Sequence, residues 1–360
     1  MRTRVMLAKF DPAITQTLRA CTAGLLALVL AACATVSDPR GAAGAPAPGA
    51  VLRATAMSRD LEQRILALDP SHVSADDVRK TLTLGPAPRI INLHGGIFPT
   101  RLIMESFGNF LVRMGYPSAE VRDPVTRELS HSPYQSSIDL AGEIAWYYEH
   151  EGMRPMMIGH SQGGMQAVKV LYELAGKFDD RIAVFNPYAE APEDRTTIVD
   201  PLTGAVRTTT SLVLPYVSAV GAGGVAFLLP NQWSMATRLY DIPDSVEDFT
   251  GFAIGVDLVA WDGPRTRDLY SPLGTAHVRN VRLPAAYSHL YVVNTDHLGS
   301  EANARAWINA WTPAMTGQDP PAGVDQENIQ WAADVWYSIK AHWVTEAQRF
   351  VRARQALLAR

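Results

Sequence analysis

The segment 156–166, "MMIGHSQGGMQ", places Ser161 between Gly159 and Gly163. A serine hydroxyl is a weak nucleophile at neutral pH and becomes reactive when a base lies within hydrogen-bonding distance. Glycines on both sides leave room for a sharp turn that exposes the hydroxyl in a strained backbone conformation. The Gly-x-Ser-x-Gly pattern therefore predicts a nucleophilic serine, provided that a strand precedes it and a helix follows it.

The strand and helix that Ser161 requires are both predicted. Strands are expected at 89–93, 118–122, 155–159 and 181–187. Helices are expected at 101–115, 136–152 and 163–176, where apolar residues recur at helical spacing or a serine and a glycine can cap the ends. Alternating strands and helices with short connections predict an α/β fold, with a mainly parallel central sheet and helices on both faces.

Two motifs within this pattern carry a family resemblance. "GHSQG", around Ser161, resembles the nucleophile elbow of the α/β-hydrolase superfamily, and "NLHGG", about 65 residues earlier, resembles its oxyanion-hole loop. Residues 89–187, and more loosely 250–312, are similar to the bacterial lipases and esterases of that superfamily. The resemblance implies an α/β-hydrolase fold and a serine hydrolase without cofactor or metal. It does not extend to 191–250.

Backbone N–H groups near both motifs are candidates for an oxyanion hole. The helix expected after Ser161 begins with Gln162, whose N–H has no partner within the helix and lies at the positive end of the helix dipole. The second donor is expected from Gly96, with Ile97 as the alternative. Loss of one such donor costs about 3–4 kcal/mol of transition-state stabilisation, so the position of the backbone matters more than the side chains.

The acid that orients the base should follow the serine in the chain. Asp257 ends an apolar, strand-like run at 252–256, and the Leu-Val after it resembles the Asp-x-x-Val pattern of the superfamily. Asp262, followed by a Gly-Pro pair, is the alternative acid and is equally typical of a turn. We therefore expect Asp257 to hold the imidazole.

Two histidines are candidates for the base. His297 follows the strand-like run 290–294 and precedes the helical segment 301–311, as expected for a histidine between the last strand and a final helix. His289 fits instead if 278–284 is the last strand. We expect His297 to act as the base and keep His289 as the alternative.

A long stretch without charges lies between Arg207 and Arg238. Its internal prolines and glycines argue against a membrane-spanning helix. The stretch is either ordinary buried packing or an apolar cap over Ser161, within an insertion at about 191–250, that contacts the substrate. In the second interpretation, Phe227 and Trp233 are candidate substrate-binding residues.

The N-terminal residues are typical of a segment that directs export and does not belong to the folded domain. Four basic residues precede an uncharged apolar run at 20–32, which is too short to span a bilayer comfortably and is typical of a signal peptide. The run ends in "LAAC", which resembles the bacterial lipoprotein signal and implies that Cys33 is lipidated. An ordinary signal peptide cut nearby is the alternative. We expect a lipid-anchored protein of the cell envelope, facing the periplasm from the outer membrane.

The rest of the chain is expected to form a tether and one catalytic domain. Residues 34–57 are rich in Ala, Gly and Pro, as in a flexible linker. The domain is expected at 58–360 and ends in a long amphipathic helix at about 326–360. Both cysteines lie at or before Cys33, so this domain holds no disulfide.

The amino-acid composition narrows the range of possible functions. The chain has 360 residues, 47% of them hydrophobic and 19% charged, which allows a substantial core. A net charge of −4 offers no attraction to nucleic acid, and no zinc-type Cys or His spacing occurs. We expect a membrane-tethered serine hydrolase of carboxylic esters. The alternative is a non-catalytic envelope lipoprotein that uses the same fold as a binding scaffold.

Overall fold

A five-stranded sheet forms the centre of the molecule. The structure, a computed structural model, describes residues 44–178, 181–255, 257–260 and 269–359. In the order across the sheet, the strands are β1 (Ile90–Leu93), β2 (Met156–His160), β3 (Leu214–Val220), β4 (Val246–Ile254) and β5 (His277–Leu283). All four neighbouring pairs are parallel, so the carboxyl ends of the strands meet at one edge.

Helices surround this sheet. The α-helices among the described residues are α1 (Ala50–Ala54), α2 (Arg59–Ala67), α3 (Ala75–Lys80), α4 (Phe98–Arg113), α5 (Ser137–Glu151), α6 (Gln162–Leu174), α7 (Asp296–Ser300), α8 (Ala302–Ala310) and α9 (Ile329–Leu358). Helix α5 shows why the sequence pattern locates such elements. The Ser136 hydroxyl accepts a hydrogen bond from the N–H of Asp139 at its start, and Gly152 ends it with a left-handed φ of 77°.

The apolar side chains form one core on each face of the sheet. In β2, Met156 and Ile158 belong to the core that includes α4 and α9, whereas Met157 belongs to the core that includes α5 and α6. This alternation is what a strand buried on both faces requires, because successive side chains point in opposite directions. The expected fold class is confirmed as α/β, with a mainly parallel central sheet and helices on both faces.

Two of the expected strands are wrong or incomplete. The segment 118–122 forms a 3₁₀ turn at Ser118–Glu120 instead of a strand. A single bridge to β1, between Leu93 and His131, follows later in the chain. In the segment 181–187, only Phe185–Asn186 is a strand, and it pairs antiparallel with Ala191–Pro192. This segment crosses α5 at Gly142, where the carbonyl oxygen of Ala183 would lie 2.3 Å from any added Cβ, so it packs on a helix outside the sheet.

The expected cap at 191–250 has the wrong boundaries. Its middle, Leu214–Val220, is the central strand β3 and is buried throughout, and the last part belongs to β4. Burial in the sheet therefore explains why much of the stretch lacks charge. A hairpin of Thr197–Val199 with Val206–Thr208 precedes β3, and 3₁₀ turns at Gly224–Leu228 and Pro230–Met235 follow it.

The folded part begins earlier than expected. Helix α1 lies inside the predicted tether, yet Leu52 is only 1% exposed and α1 packs against α9. The expectation that the tether reaches residue 57 is therefore wrong. The predicted signal peptide and Cys33 lie outside the described residues. Among the helices that are described, none is long and apolar enough to cross a membrane.

Candidate active site

Ser161 occupies a sharp turn between β2 and α6. Its backbone has φ 55° and ψ −124°, a conformation with positive φ that residues other than glycine rarely adopt. Such a conformation costs about 1–3 kcal/mol and persists only where the surroundings enforce it. The N–H of Ser161 donates to the carbonyl oxygen of Val220 (2.8 Å), which ties the turn to the end of β3.

The flanking glycines let the strand and helix meet. A Cβ on Gly159 would lie 2.5 Å from the carbonyl oxygen of Gly163, and a Cβ on Gly163 would lie 2.2 Å from that of Leu93. Real Cβ atoms essentially never come within 3.0 Å of such a neighbour. Both contacts involve backbone atoms, which cannot rotate away. The spacing of the glycines around Ser161 is therefore a steric requirement of this turn.

His289 connects Ser161 to Asp257. Its Nε2 lies 3.0 Å from Ser161 Oγ, and its Nδ1 lies 2.7 Å from Asp257 Oδ2. The carboxylate can only accept, so Nδ1 donates to it and Nε2 is left to accept the serine proton. Ser161 follows β2, Asp257 follows β4 and His289 follows β5, so parallel strands bring the three together at their carboxyl ends.

The preference for His297 as the base is corrected. His297 lies in α7, where its Nε2 is 3.5 Å from Asp325 Oδ2, and no hydrogen bond to Ser161 is described for it. The run 290–294, interpreted as the last strand, forms turns in which Val292 and Val293 are fully buried. Because β5 is the last strand, the histidine that follows it is His289. The alternative acid, Asp262, lies outside the described residues.

The surroundings of Asp257 keep it ionised. Burial alone would raise the pKa of its carboxyl group, but the hydrogen bond from His289 and those from the N–H groups of Ala260 and Val259 outweigh burial and hold the pKa below its usual value. Both N–H donors lie 3.0 Å from Oδ1. The side chains of Asp257 and His289 are only 6% and 8% exposed. A buried negative charge therefore faces the imidazole.

Two further residues fix the position of His289. The ring of His160 donates from Nε2 to the backbone oxygen of His289 at 2.7 Å. Burial, and then the neighbouring His289, lower the pKa of His160 to about 3, so it stays neutral. Gly221, with φ 61°, leaves the space that the imidazole occupies, since a Cβ there would lie 3.0 Å from His289 Nδ1. Sequence patterns gave no signal for Gly221, because its contact depends on distant strands.

The two expected oxyanion donors belong to segments that touch. A Cβ on Gly96 would lie 2.1 Å from the side-chain oxygen of Gln162, so the loop and the helix start are in close contact. Among the described residues, the N–H groups of Gly96 and Gln162 have no hydrogen-bond acceptor. Tyr134 donates its hydroxyl to the carbonyl oxygen of Gly96 (2.8 Å) and so holds this loop in place. Nothing in the sequence singled out Tyr134.

The two expected substrate-binding residues lie in the 3₁₀ turns that follow β3. Phe227 packs against the core on the α5 and α6 side, and Trp233 is 63% exposed. No contact of either with Ser161 is described. Between them, the side chain of Asn231 meets that of Gln162, with Oδ1 of Asn231 3.5 Å from Nε2 of Gln162. The 3₁₀ turns therefore offer a polar group next to the helix start.

Exposed apolar side chains come directly after three residues of the candidate site in the sequence. Ile97 and Phe98 come directly after Gly96, Leu258 and Val259 after Asp257, and Leu290 and Tyr291 after His289. Exposed apolar side chains grouped in this way often mark a binding surface. No cluster of His, Cys, Asp or Glu among the described residues is arranged to hold a metal ion.

Comparisons with known proteins show only weak similarities. No protein-family model matches the chain, and no curated protein of similar sequence was found. A protein of unknown function from Agrobacterium tumefaciens, described as a candidate alpha/beta hydrolase, is similar with a TM-score of 0.31 and 12% identity over 64% of this chain and 84% of that one. RedJ, with a polyethylene glycol molecule bound in its active site, has a TM-score of 0.31 and 14% identity over 61% of this chain and 92% of that one. At these TM-scores, neither similarity supports a conclusion about this chain.

Proposed function

We propose that the chain is a serine hydrolase that cleaves carboxylic esters through an acyl-enzyme intermediate. The observation that carries the proposal is the hydrogen-bonded series from Ser161 Oγ through His289 to Asp257, with distances of 3.0 Å and 2.7 Å. Nucleophile, acid and base follow one another along the chain in the order known for α/β-hydrolases. The strained turn at Ser161 supports a functional role, because strain of this kind concentrates at active sites.

Acylation begins when Ser161 Oγ attacks the carbonyl carbon and His289 Nε2 accepts the hydroxyl proton. The electron pair of the C=O bond moves to the oxygen, where the N–H groups of Gln162 and Gly96 stabilise the charge. The intermediate then collapses, the bond to the alcohol oxygen breaks, and His289 returns its proton to that oxygen. The free alcohol leaves, and the acyl group stays on Ser161.

Deacylation repeats these steps with water. His289 takes a proton from a water molecule, whose oxygen attacks the acyl carbon, and the second intermediate is stabilised by the same N–H groups. Its collapse breaks the bond to Ser161 Oγ and returns the proton to the serine, which releases the carboxylic acid. In both halves the ionised Asp257 stabilises the positive charge on the imidazole.

The apolar residues beside the site favour esters with an uncharged acyl chain. Ile97, Phe98, Leu258, Leu290 and Tyr291 expose apolar surface next to the segments that carry the reacting groups. Each buried methylene of a substrate is worth about 0.8 kcal/mol, so two extra carbons would improve kcat/KM about tenfold. We therefore infer that activity rises from acetate to butyrate esters.

A fluorophosphonate probe tests the proposal. The probe should label the wild-type protein, and Ser161→Ala should abolish both labelling and hydrolysis of p-nitrophenyl butyrate. Ser71→Ala, in an exposed loop, is the matched control and should keep both. A folded wild-type protein that neither reacts with the probe nor hydrolyses the ester would contradict the proposal and favour a binding scaffold.

The membrane tether is a second part of the proposal and rests on the sequence "LAAC" alone. If Cys33 is lipidated, the mature protein should sediment with membranes, and Cys33→Ser should release it. Fractionation of a bacterial host that expresses both forms measures this. Wild-type protein found entirely in the soluble fraction would rule out the lipid anchor without affecting the hydrolase proposal.

A further inference from the structure

A cavity of about 460 Å³ lies beside the candidate active site. It is an open cleft lined by the start of α5, one side of α6 and the 3₁₀ turn Pro230–Met235. Pockets that hold small ligands in proteins usually have volumes of about 300–1,000 Å³. The cavity is therefore large enough for part of a substrate.

Two residues on the wall of the cavity contact the two residues that are expected to supply the oxyanion donors. Tyr134, on its wall, donates to the carbonyl oxygen of Gly96 at 2.8 Å. Asn231, also on its wall, lies 3.5 Å from the side chain of Gln162. Gly96 and Gln162 are the two residues whose N–H groups are expected to stabilise the oxyanion. The wall of the cavity therefore contacts both of these residues.

The wall offers both donors and acceptors. The ammonium group of Lys169 donates to the carbonyl oxygen of Asn231 at 3.1 Å, which uses one of its three N–H groups. The hydroxyl of Ser234 is buried and has no partner among the described residues. Gln166 donates to the backbone of Gln135 at 2.7 Å. Donors therefore remain at Lys169 and Ser234, and acceptors at the hydroxyl oxygens of Tyr134 and Ser234.

Charge and polarity decide which chemical group fits. Glu173 lies on the same wall, one helical turn from Lys169, so a carboxylate or phosphate would face a carboxyl group of its own sign. A plain alkyl group would leave the remaining N–H groups of Lys169 and the hydroxyl of Ser234 without partners, which costs free energy. A hydroxyl group both donates and accepts, so several hydroxyls match this wall. The ring of Phe178 adds an apolar surface against which the carbons of a sugar can pack.

We infer that this cavity binds the alcohol part of the substrate, and that this alcohol carries several hydroxyl groups, as a sugar or another polyol does. We call the cavity the polar subsite and define it by Tyr134, Gln166, Lys169, Phe178, Asn231 and Ser234. The inference rests on the proposed hydrolase function and names its substrate class: an ester between an apolar acyl chain and a polyol.

Two esters of matched size test the inference. Methyl 6-O-butyryl glucoside and cyclohexylmethyl butyrate share the acyl group and a six-membered ring, but only the first has free hydroxyls. We expect the wild-type protein to have at least tenfold higher kcat/KM for the sugar ester. Lys169→Met should lower this selectivity about tenfold, and Ser234→Ala about three- to tenfold, which are the losses expected for one hydrogen bond. Lys177→Met, in the exposed turn after α6, is the matched control and should leave the ratio unchanged.

The outcomes separate the subsite from the hydrolase function. Hydrolysis of both esters that depends on Ser161, without preference for the sugar ester, would overturn the subsite and leave the function intact. An unchanged ratio in folded Lys169→Met and Ser234→Ala would overturn it as well. If no ester is hydrolysed, saturation-transfer NMR with methyl glucoside replaces the kinetics. Binding that Lys169→Met weakens then supports the subsite, and no binding to the wild-type protein overturns it.

Discussion

Replacing Gly163 with alanine separates two opposing effects in the turn around Ser161. In a helix, alanine is favoured over glycine by about 1 kcal/mol, so propensity alone predicts a more stable protein. The contacts predict the opposite. A Cβ at this position would lie 2.2 Å from the carbonyl oxygen of Leu93 and 2.5 Å from that of His94, and both are backbone atoms. The start of α6 must therefore move away from the end of β1.

The contact between Gly163 and the end of β1 determines how much stability and activity Gly163→Ala should lose. Overpacking of this kind costs about 1–3 kcal/mol, which outweighs or cancels the gain in propensity and leaves a net loss of up to about 2 kcal/mol. The catalytic loss should be larger. Gln162 moves with the helix whereas Gly96 stays with the loop after β1, and a misplacement of about 1 Å lowers the rate about 100-fold. We expect kcat/KM to fall by that factor while the protein stays folded.

The assay is hydrolysis of p-nitrophenyl butyrate, with urea unfolding as the measure of stability. Gly164→Ala is the matched control, because it has the same propensity gain but a milder contact: its Cβ would lie 3.0 Å and 3.1 Å from the Cβ atoms of Ala222 and Ala219, and 3.4 Å from the nearest backbone oxygen, that of Gly159. It should keep activity within about tenfold of the wild type. If Gly163→Ala is more stable than the wild type and equally active, the steric argument for this turn is wrong.

Three further predictions concern the base, its loop and a buried acid. His289→Ala should lower kcat/KM for ester hydrolysis at least about 1,000-fold, whereas His297→Ala should change it less than threefold. The reverse pattern would refute the assignment of His289 as the base. Asn328 has φ 59°, and its side chain donates hydrogen bonds to the carbonyl oxygens of Tyr291 and Asn294. Asn328→Gly should therefore destabilise the protein by about 1–2 kcal/mol in urea unfolding and lower kcat. Unchanged values would show that these two hydrogen bonds are unimportant. Burial, and then Asp123, raise the pKa of Glu143 from 4.5 to about 8. Its contribution to stability is present below pH 4.5 and is lost as the pH rises to 8, by at most about 1.4 kcal/mol per pH unit. Glu143→Gln should flatten this dependence in unfolding curves at pH 5–8, and an identical slope would contradict the shift.

Local sequence patterns were sufficient for the strand, turn and helix around Ser161. The glycines at 159 and 163 and the apolar run before them act within a few residues, so they can be interpreted without knowing the rest of the fold. The same holds for α5, whose serine cap and terminal glycine lie where the sequence predicts them. The α/β fold class followed from the alternation of such elements.

The base could not be chosen by the same means. The runs at 278–284 and 290–294 can both be interpreted as a strand, and which one joins the sheet depends on non-local pairing with β4. Burial is not a guide, because Val292 and Val293 are fully buried without being in a strand. The stretch at 208–237 posed the same problem: lack of charge is shared by a central strand and a cap. Only long-range pairing distinguishes them.

The chain order of the site also governs when activity can arise during synthesis. Ser161 and His289 are separated by 128 positions, and α9, which packs against β3, α1 and α2, comes later still. At elongation rates of about 5–20 residues per second, the turn around Ser161 is complete about 6–26 s before its partner histidine is added. During that interval a nascent chain has the serine but no base. Ester hydrolysis would therefore report on the completed chain, and ribosome-bound intermediates arrested before residue 289 should be silent in the same assay.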